Sequence, residues 1–156
     1  MSQTLQLLSA FEERLKAEFG RELAVELFPE KPSQYRLNHP AGAILLAYGS
    51  SKFSDTDALD AVFQERNLVM PLTLVFRQLN GKTGVIAYLD RVRDCLTGWV
   101  PPHCDNACRP LDEVFIGQVA GLWQYAQRFA VRATQLQQMG AEDGPLLTQA
   151  VFEEYP

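Results

Sequence analysis

Between Thr4 and Phe19 apolar residues recur at spacings of three and four. Leu5, Leu8, Phe11, Leu15 and Phe19 form one stripe, and Glu12, Glu13, Arg14, Lys16 and Glu18 fill the other side. That period predicts an amphipathic helix, and Gly20 stands where a left-handed cap would end it. Leu23, Val25 and Leu27 alternate as a short strand does, until Pro29-Glu30-Lys31-Pro32-Ser33 breaks the pattern. The run Ala43-Ile44-Leu45-Leu46-Ala47-Tyr48 lies between Gly42 and Gly49 and reads as a buried strand. Ser50 to Asp57 is turn-rich. From Gln64 to Leu79, Leu68, Met70, Leu72, Leu74 and Phe76 alternate with Val69, Pro71, Thr73, Val75 and Arg77, which predicts a long strand. Pro71 has no N–H to give a ladder, so this strand should lie at an edge or carry a bulge there.

Asn80-Gly81 signals a turn. A second helix is predicted over Thr83 to Leu96, with Val85, Leu89, Val92 and Leu96 inward and Asp90, Arg91, Arg93 and Asp94 outward. Gly98 is placed to cap it. Pro101 to Pro110 reads as a loop and Glu113 to Val119 as a strand. Leu122 to Thr134 alternates over its whole length. Trp123, Tyr125, Gln127, Phe129, Val131 and Ala133 share one face; Leu122, Gln124, Ala126, Arg128, Ala130 and Arg132 share the other. That pattern belongs to a half-buried antiparallel strand. The expected fold class is α+β, a mainly antiparallel sheet with two helices packed on one face. A parallel doubly wound sheet needs more helical crossovers than the pattern offers. Residues 1–135 are expected to form a single domain and 136–156 a polar C-terminal tail, whose only apolar patches are Leu146-Leu147 and Val151-Phe152.

Composition narrows the function classes. The chain has 156 residues, 47% of them hydrophobic and 21% charged, which suits a globular domain with a sizeable core. Its net charge of −5 repels phosphate backbones, so no sequence-specific nucleic-acid partner is expected. The longest apolar run is far below the ~20 residues that span a bilayer, so no membrane partner is expected. Met1-Ser2-Gln3-Thr4 leads into an amphipathic stretch rather than an apolar leader, and the three cysteines are an odd number. Both point to a protein made in a reducing cytoplasm.

Candidate chemistry is sparse. Gly81-Lys82-Thr83 looks like the end of a phosphate loop, but Phe76 stands where the first glycine belongs; a turn before a helix N-terminus explains it better. His103, Cys104 and Cys108, with Cys95, have the spacing of half a zinc site without a matching second pair; a local disulfide or plain loop cysteines are the alternatives. Cys95 or Cys104 as nucleophile with His39 or His103 as base is the enzymatic reading. Against it, Cys95 lies at the wrong end of a helix for activation, and His103 and Cys104 are adjacent in sequence. Asp55, Asp57 and Asp60 lack cation-loop spacing and read as a solvated turn. Trp99, Trp123, Tyr125 and Phe129 read as core. Arg128 and Arg132, on the other face of their strand, are solvated or serve a subunit contact. No catalytic residue, metal or cofactor is expected.

Three stretches together carry a resemblance. They are Gly42-Ala43-Ile44-Leu45-Leu46-Ala47-Tyr48-Gly49-Ser50; Leu89-Asp90-Arg91-Val92-Arg93-Asp94-Cys95-Leu96-Thr97-Gly98-Trp99 with Pro101-Pro102; and Gly121-Leu122-Trp123-Gln124-Tyr125-Ala126-Gln127-Arg128-Phe129. In this order they resemble the Mu-like prophage tail-completion family encoded between the head genes and the tail-sheath gene. That family is similar in fold to phage tail terminators such as the one of phage lambda. The resemblance spans roughly residues 3 to 134. It implies a non-enzymatic subunit that forms a hexameric ring on the end of the tail tube. The implied partners are further copies of itself, the tail tube or sheath protein and the head–tail connector. The implied location is the host cytoplasm during assembly and then the virion tail. A head–tail connector or stopper is the alternative role, and a small metal- or thiol-dependent enzyme a third. Long alternating strands offer edges and faces for ring contacts, so the outer face of Leu68–Phe76 or Leu122–Thr134 is the expected interface.

Overall fold

The computed structural model describes residues 2–56 and 61–138. Contacts divide the chain into two units, Met1–Phe53 with Arg66–Ala133, and Ser54–Glu65 with Thr134–Pro156. The elements in order are α1 (Gln3–Phe19), β1 (Ala24–Leu27), a short 3-10 turn (Pro32–Gln34), β2 (Gly42–Leu46), β3 (Ser50–Phe53), β4 (Phe63–Phe76), α2 (Val85–Leu96), β5 (Arg109–Val119) and β6 (Leu122–Leu136). The sheet runs β1-β2-β4-β6-β5, with β3 also paired to β4. β1 lies parallel to β2; β2 and β3 against β4, and β5 against β6, are antiparallel. The fold is α+β with a mostly antiparallel sheet, as the periodicities predict.

In α1 the Ser2 hydroxyl accepts from the Leu5 N–H and caps the start; Gly20, at φ 55°, returns its N–H to Lys16 O and ends the helix. The buried stripe is Leu7, Phe11, Leu15 and Phe19. Leu5, read into that stripe from its spacing, is 62% exposed. It lies about 120° around the helix from Phe11, and Leu7 takes the inward place. In α2, Val85, Leu89, Val92 and Leu96 are buried with Tyr88. Both helices join Leu68, Met70, Leu72, Leu74 and Phe76 of β4 and Phe129 and Val131 of β6 in one core. Ala43, Leu45 and Val75 form a smaller cluster on the other face of the sheet, packed with Tyr35, Leu37 and Leu122.

Pro71 sits inside the sheet, and a bulge accommodates it. Leu46 pairs with Leu72 but Ser50 pairs with Val69, so four steps on one strand match three on the other. Ala47 N–H reaches Pro71 O and Gly49 N–H reaches Val69 O across the bulge. The missing proline N–H thus falls where the ladder is already interrupted. Ser50–Phe53, read as turn, is strand because β4 offers it a ladder; Ser and Lys carry little strand preference of their own. In the second unit, Val62 N–H donates to Gln137 Oε1 and Gln137 N–H to Val62 O, while Thr56 Oγ1 accepts from Phe63 N–H.

Candidate functional site

Of the residues singled out for chemistry, the three cysteines lie in the core or against it. Cys108 is buried and Cys95 and Cys104 half-buried, and all three are free. Burial, then the nearby Asp105, pushes the Cys104 thiol up to about 11; burial, then Cys104, pushes Cys108 up to about 12. Burial also raises Cys95. Burial thus disfavours the thiolate, the form that acts as a nucleophile, at all three. His39 Nε2 is 2.9 Å from Arg21 O, and its Nδ1 accepts from Ala41 N–H at 3.0 Å. Both ring nitrogens are therefore engaged with backbone. His103 Nε2 contacts Gln6 Oε1. No cluster of three or more metal-ligating side chains occurs among the described residues. Asp57 and Asp60 lie outside the described residues, as does the chain from 139 onward. Around Gly81-Lys82-Thr83 the Thr83 hydroxyl donates to Gln78 Oε1, Val85 N–H to Gln78 O, and Gly84 is the N-cap; the segment is a turn.

The surface that stands out is the β5–β6 hairpin. Ala120 and Gly121, both at positive φ, make its tight turn. β5 ends the sheet, so one side of its backbone has no strand partner among the described residues. Two bulges interrupt it: Leu111 and Ile116 each have no opposite number on β6. Leu111, Val114, Phe115, Ile116 and Val119 are each 43–53% exposed. Phe115 lies 6.3 Å from Trp123 in a stacked pair and 5.2 Å from Tyr125. Trp123 and Tyr125 thus bridge from the core to an exposed aromatic patch. Phe129 is fully buried, as read from sequence.

Charge fixes the near half of the hairpin. Arg128 Nε and Nη2 donate to Asp112 Oδ1 and Oδ2 at 2.8 and 2.5 Å across the strands, and hold that carboxyl below its ordinary range. Arg93 bonds Glu113 at 2.6 Å, and the fully buried Gln127 donates to Glu113 and to Leu89 O. Beyond Glu113 the edge carries no charge up to Val119. Arg128, expected to be solvated or in a subunit contact, is 45% exposed and also staples the hairpin. Arg132 offers its N–H to Asn106 Oδ1. At the other end of the sheet, β1 exposes Glu26 and Leu27, followed by the exposed Phe28.

A family profile described as Gp37 protein matches residues 12–154. The chain belongs to the Gp37 family. Among solved structures, a chain of the virion of a native gene transfer agent particle is similar in fold, with a TM-score of 0.52 and 14% identity. The match covers 85% of this chain and 97% of that one. No curated protein matches. The fold of this Gp37 chain is thus shared over most of its length with a chain of that particle. The aromatic residues Trp123 and Tyr125 were visible in sequence. Their partner Phe115 was hidden, because nothing in a single sequence says which strand ends a sheet.

Proposed function

We propose that the chain is a non-enzymatic structural subunit of a phage or phage-like virion, of the tail-terminator type. It assembles into a ring of copies of itself, hexameric in the form the family resemblance implies. The ring caps the tail tube, stops its growth and presents a surface to the head-side connector. Its partners are further copies of itself, the tube or sheath protein and the connector. It assembles in the host cytoplasm and ends in the virion tail.

The observation that carries this reading is the likeness in fold to a chain of the gene transfer agent virion over 97% of that chain's length. Two features support it. Cysteines set in or against the core and a His39 ring bound to backbone at both nitrogens suit a scaffold. An uncharged apolar sheet edge suits a subunit that is covered on assembly. A connector or stopper at the same junction is the second reading, favoured by the same likeness.

Light scattering over a range of concentrations, with negative-stain imaging, tests the ring. A mass near six subunits with visible rings is expected. Purified tail tubes then separate the readings: a terminator caps tube ends and prevents their elongation. A protein that binds the head connector and leaves tube ends free is a stopper.

A further inference from the structure

We infer that the uncharged half of β5, Val114–Val119, docks against the β1 edge of a second copy of this chain. The inference rests on the ring reading and names the contact that would close the ring. Long edge strands are usually guarded by charge, proline or shortness, because their free N–H and C=O groups template foreign strands. β5 is guarded at its start by Pro110, Asp112 and Glu113, and from Val114 on only by the bulge at Ile116. The four half-exposed apolar side chains of that half, Val114, Phe115, Ile116 and Val119, together present roughly 350 Å². A standard interface takes about 800 Å² from each partner, a little over half of it apolar. The edge therefore supplies most of the apolar share of one side of a stable contact.

The choice of a second copy comes from the other end of the same sheet. β1 is the opposite terminal strand, and it presents Leu27 at 49% and Phe28 at 41% exposure. Joining β5 of one copy to β1 of the next uses two different patches. Such a contact is head-to-tail and propagates around a ring, whereas β5 against β5 would stop at a two-fold dimer. The sheet would then run on from copy to copy, with Phe115, Trp123 and Tyr125 beside the joint.

Two exposed positions test both halves. Val114→Lys blocks the β5 edge and Leu27→Lys the β1 edge; neither side chain is part of the core, and thermal unfolding checks that each variant folds. Each variant alone should be monomeric, with association weakened at least a hundredfold relative to the wild type. An equimolar mixture of the two retains one intact pair of edges, and should form one-to-one dimers and go no further. If Val114→Lys still forms rings, the contact lies elsewhere and the inference is overturned while the ring reading stands. If Val114→Lys is monomeric and Leu27→Lys still forms rings, β5 docks on another surface and the inference is again overturned. A wild type that stays monomeric at every concentration also overturns it. The ring reading falls with it only if tube ends are left uncapped.

Discussion

Replacing Arg91 by alanine would remove several contacts at once between α2 and the chain that follows α1. The guanidinium donates to both carboxylate oxygens of Glu22, at 2.5 and 3.1 Å. It lies 4.9 Å from the Phe19 ring centre and 5.2 Å from that of Tyr88, whose hydroxyl also donates to Glu22. The Arg91 side chain is 39% exposed, so the ion pair is worth a surface value of about 0.5–1 kcal/mol. Each ring contact adds about 0.5–1 kcal/mol at such a site. The alanine variant should therefore lose about 2 kcal/mol, and lysine, which keeps the charge but not the planar fork, about half of that. With a urea dependence of roughly 2 kcal/mol per molar, the unfolding midpoint falls by about 1 M for alanine and about 0.5 M for lysine. Glu22 adds a pH signature. The hydrogen bond from Arg91, then that from Tyr88, holds its carboxyl below the ordinary 4.5. A depressed folded-state pKa gives stability that is complete above about 4.5 and is lost as pH falls through the folded value. The gap between wild type and Arg91→Ala should accordingly narrow in acid. A lysine variant as stable as the wild type, or a gap that persists undiminished in acid, would refute this account.

Three further outcomes follow from the core and the turns. Phe129→Ala removes a fully buried ring and should cost about 3–5 kcal/mol, read as a lower urea midpoint with unchanged slope. Gly84→Ala would drive a Cβ against the carbonyl oxygens of Leu79 and Asn80, both backbone atoms that cannot swing away; a loss of about 2 kcal/mol or more by thermal unfolding is expected. With Cys104 and Cys108 pushed up to about 11 and about 12, alkylation at pH 8 should be slow in the folded protein and faster by on the order of a hundredfold in denaturant. Rapid labelling of the native protein at both positions would contradict their burial.

Periodicity carried the main elements because each buries one face against a single core. Phe11, Leu15 and Phe19 with Gly20 marked α1, and the even residues Leu68–Phe76 and odd residues Trp123–Ala133 marked the two longest strands. What escaped depended on neighbours that sequence does not name. The parallel pairing of β1 with β2 and the strand character of Ser50–Phe53 exist only because a partner lies alongside. The start of β5 at Arg109 was masked by Pro110, which an edge strand tolerates and a central one would not. For the same reason the exposed edge was not legible: Val114-Phe115-Ile116 has the composition of a buried strand. Arg128 could be placed on the outer face, but its bond to Asp112 needed the register of the hairpin.

The bulge opposite Pro71 also sets how this chain can change length over generations. Before it, the even residues Ile44 and Leu46 lie on the helix side, opposite Leu74 and Leu72; after it, the odd residues Ser51 and Phe53 do, opposite Leu68 and Arg66. Ser51 there bonds both Tyr48 and Arg66, and Arg66 reaches Thr4 in α1. Deleting one residue from Ala47–Gly49 would leave three steps against three and keep Ser51 opposite Leu68, but the plain ladder would then ask Pro71 for an N–H that it lacks. Substitutions at Ala47 and Tyr48 leave the register alone, whereas a Cβ at Gly49 would meet the Val69 carbonyl oxygen at 2.8 Å, and a single-codon deletion would set Pro71 into an unbroken ladder. Homologous chains that keep this proline should therefore keep Gly49 and hold the spacing from Leu46 to Ser50 constant, while Ala47 varies.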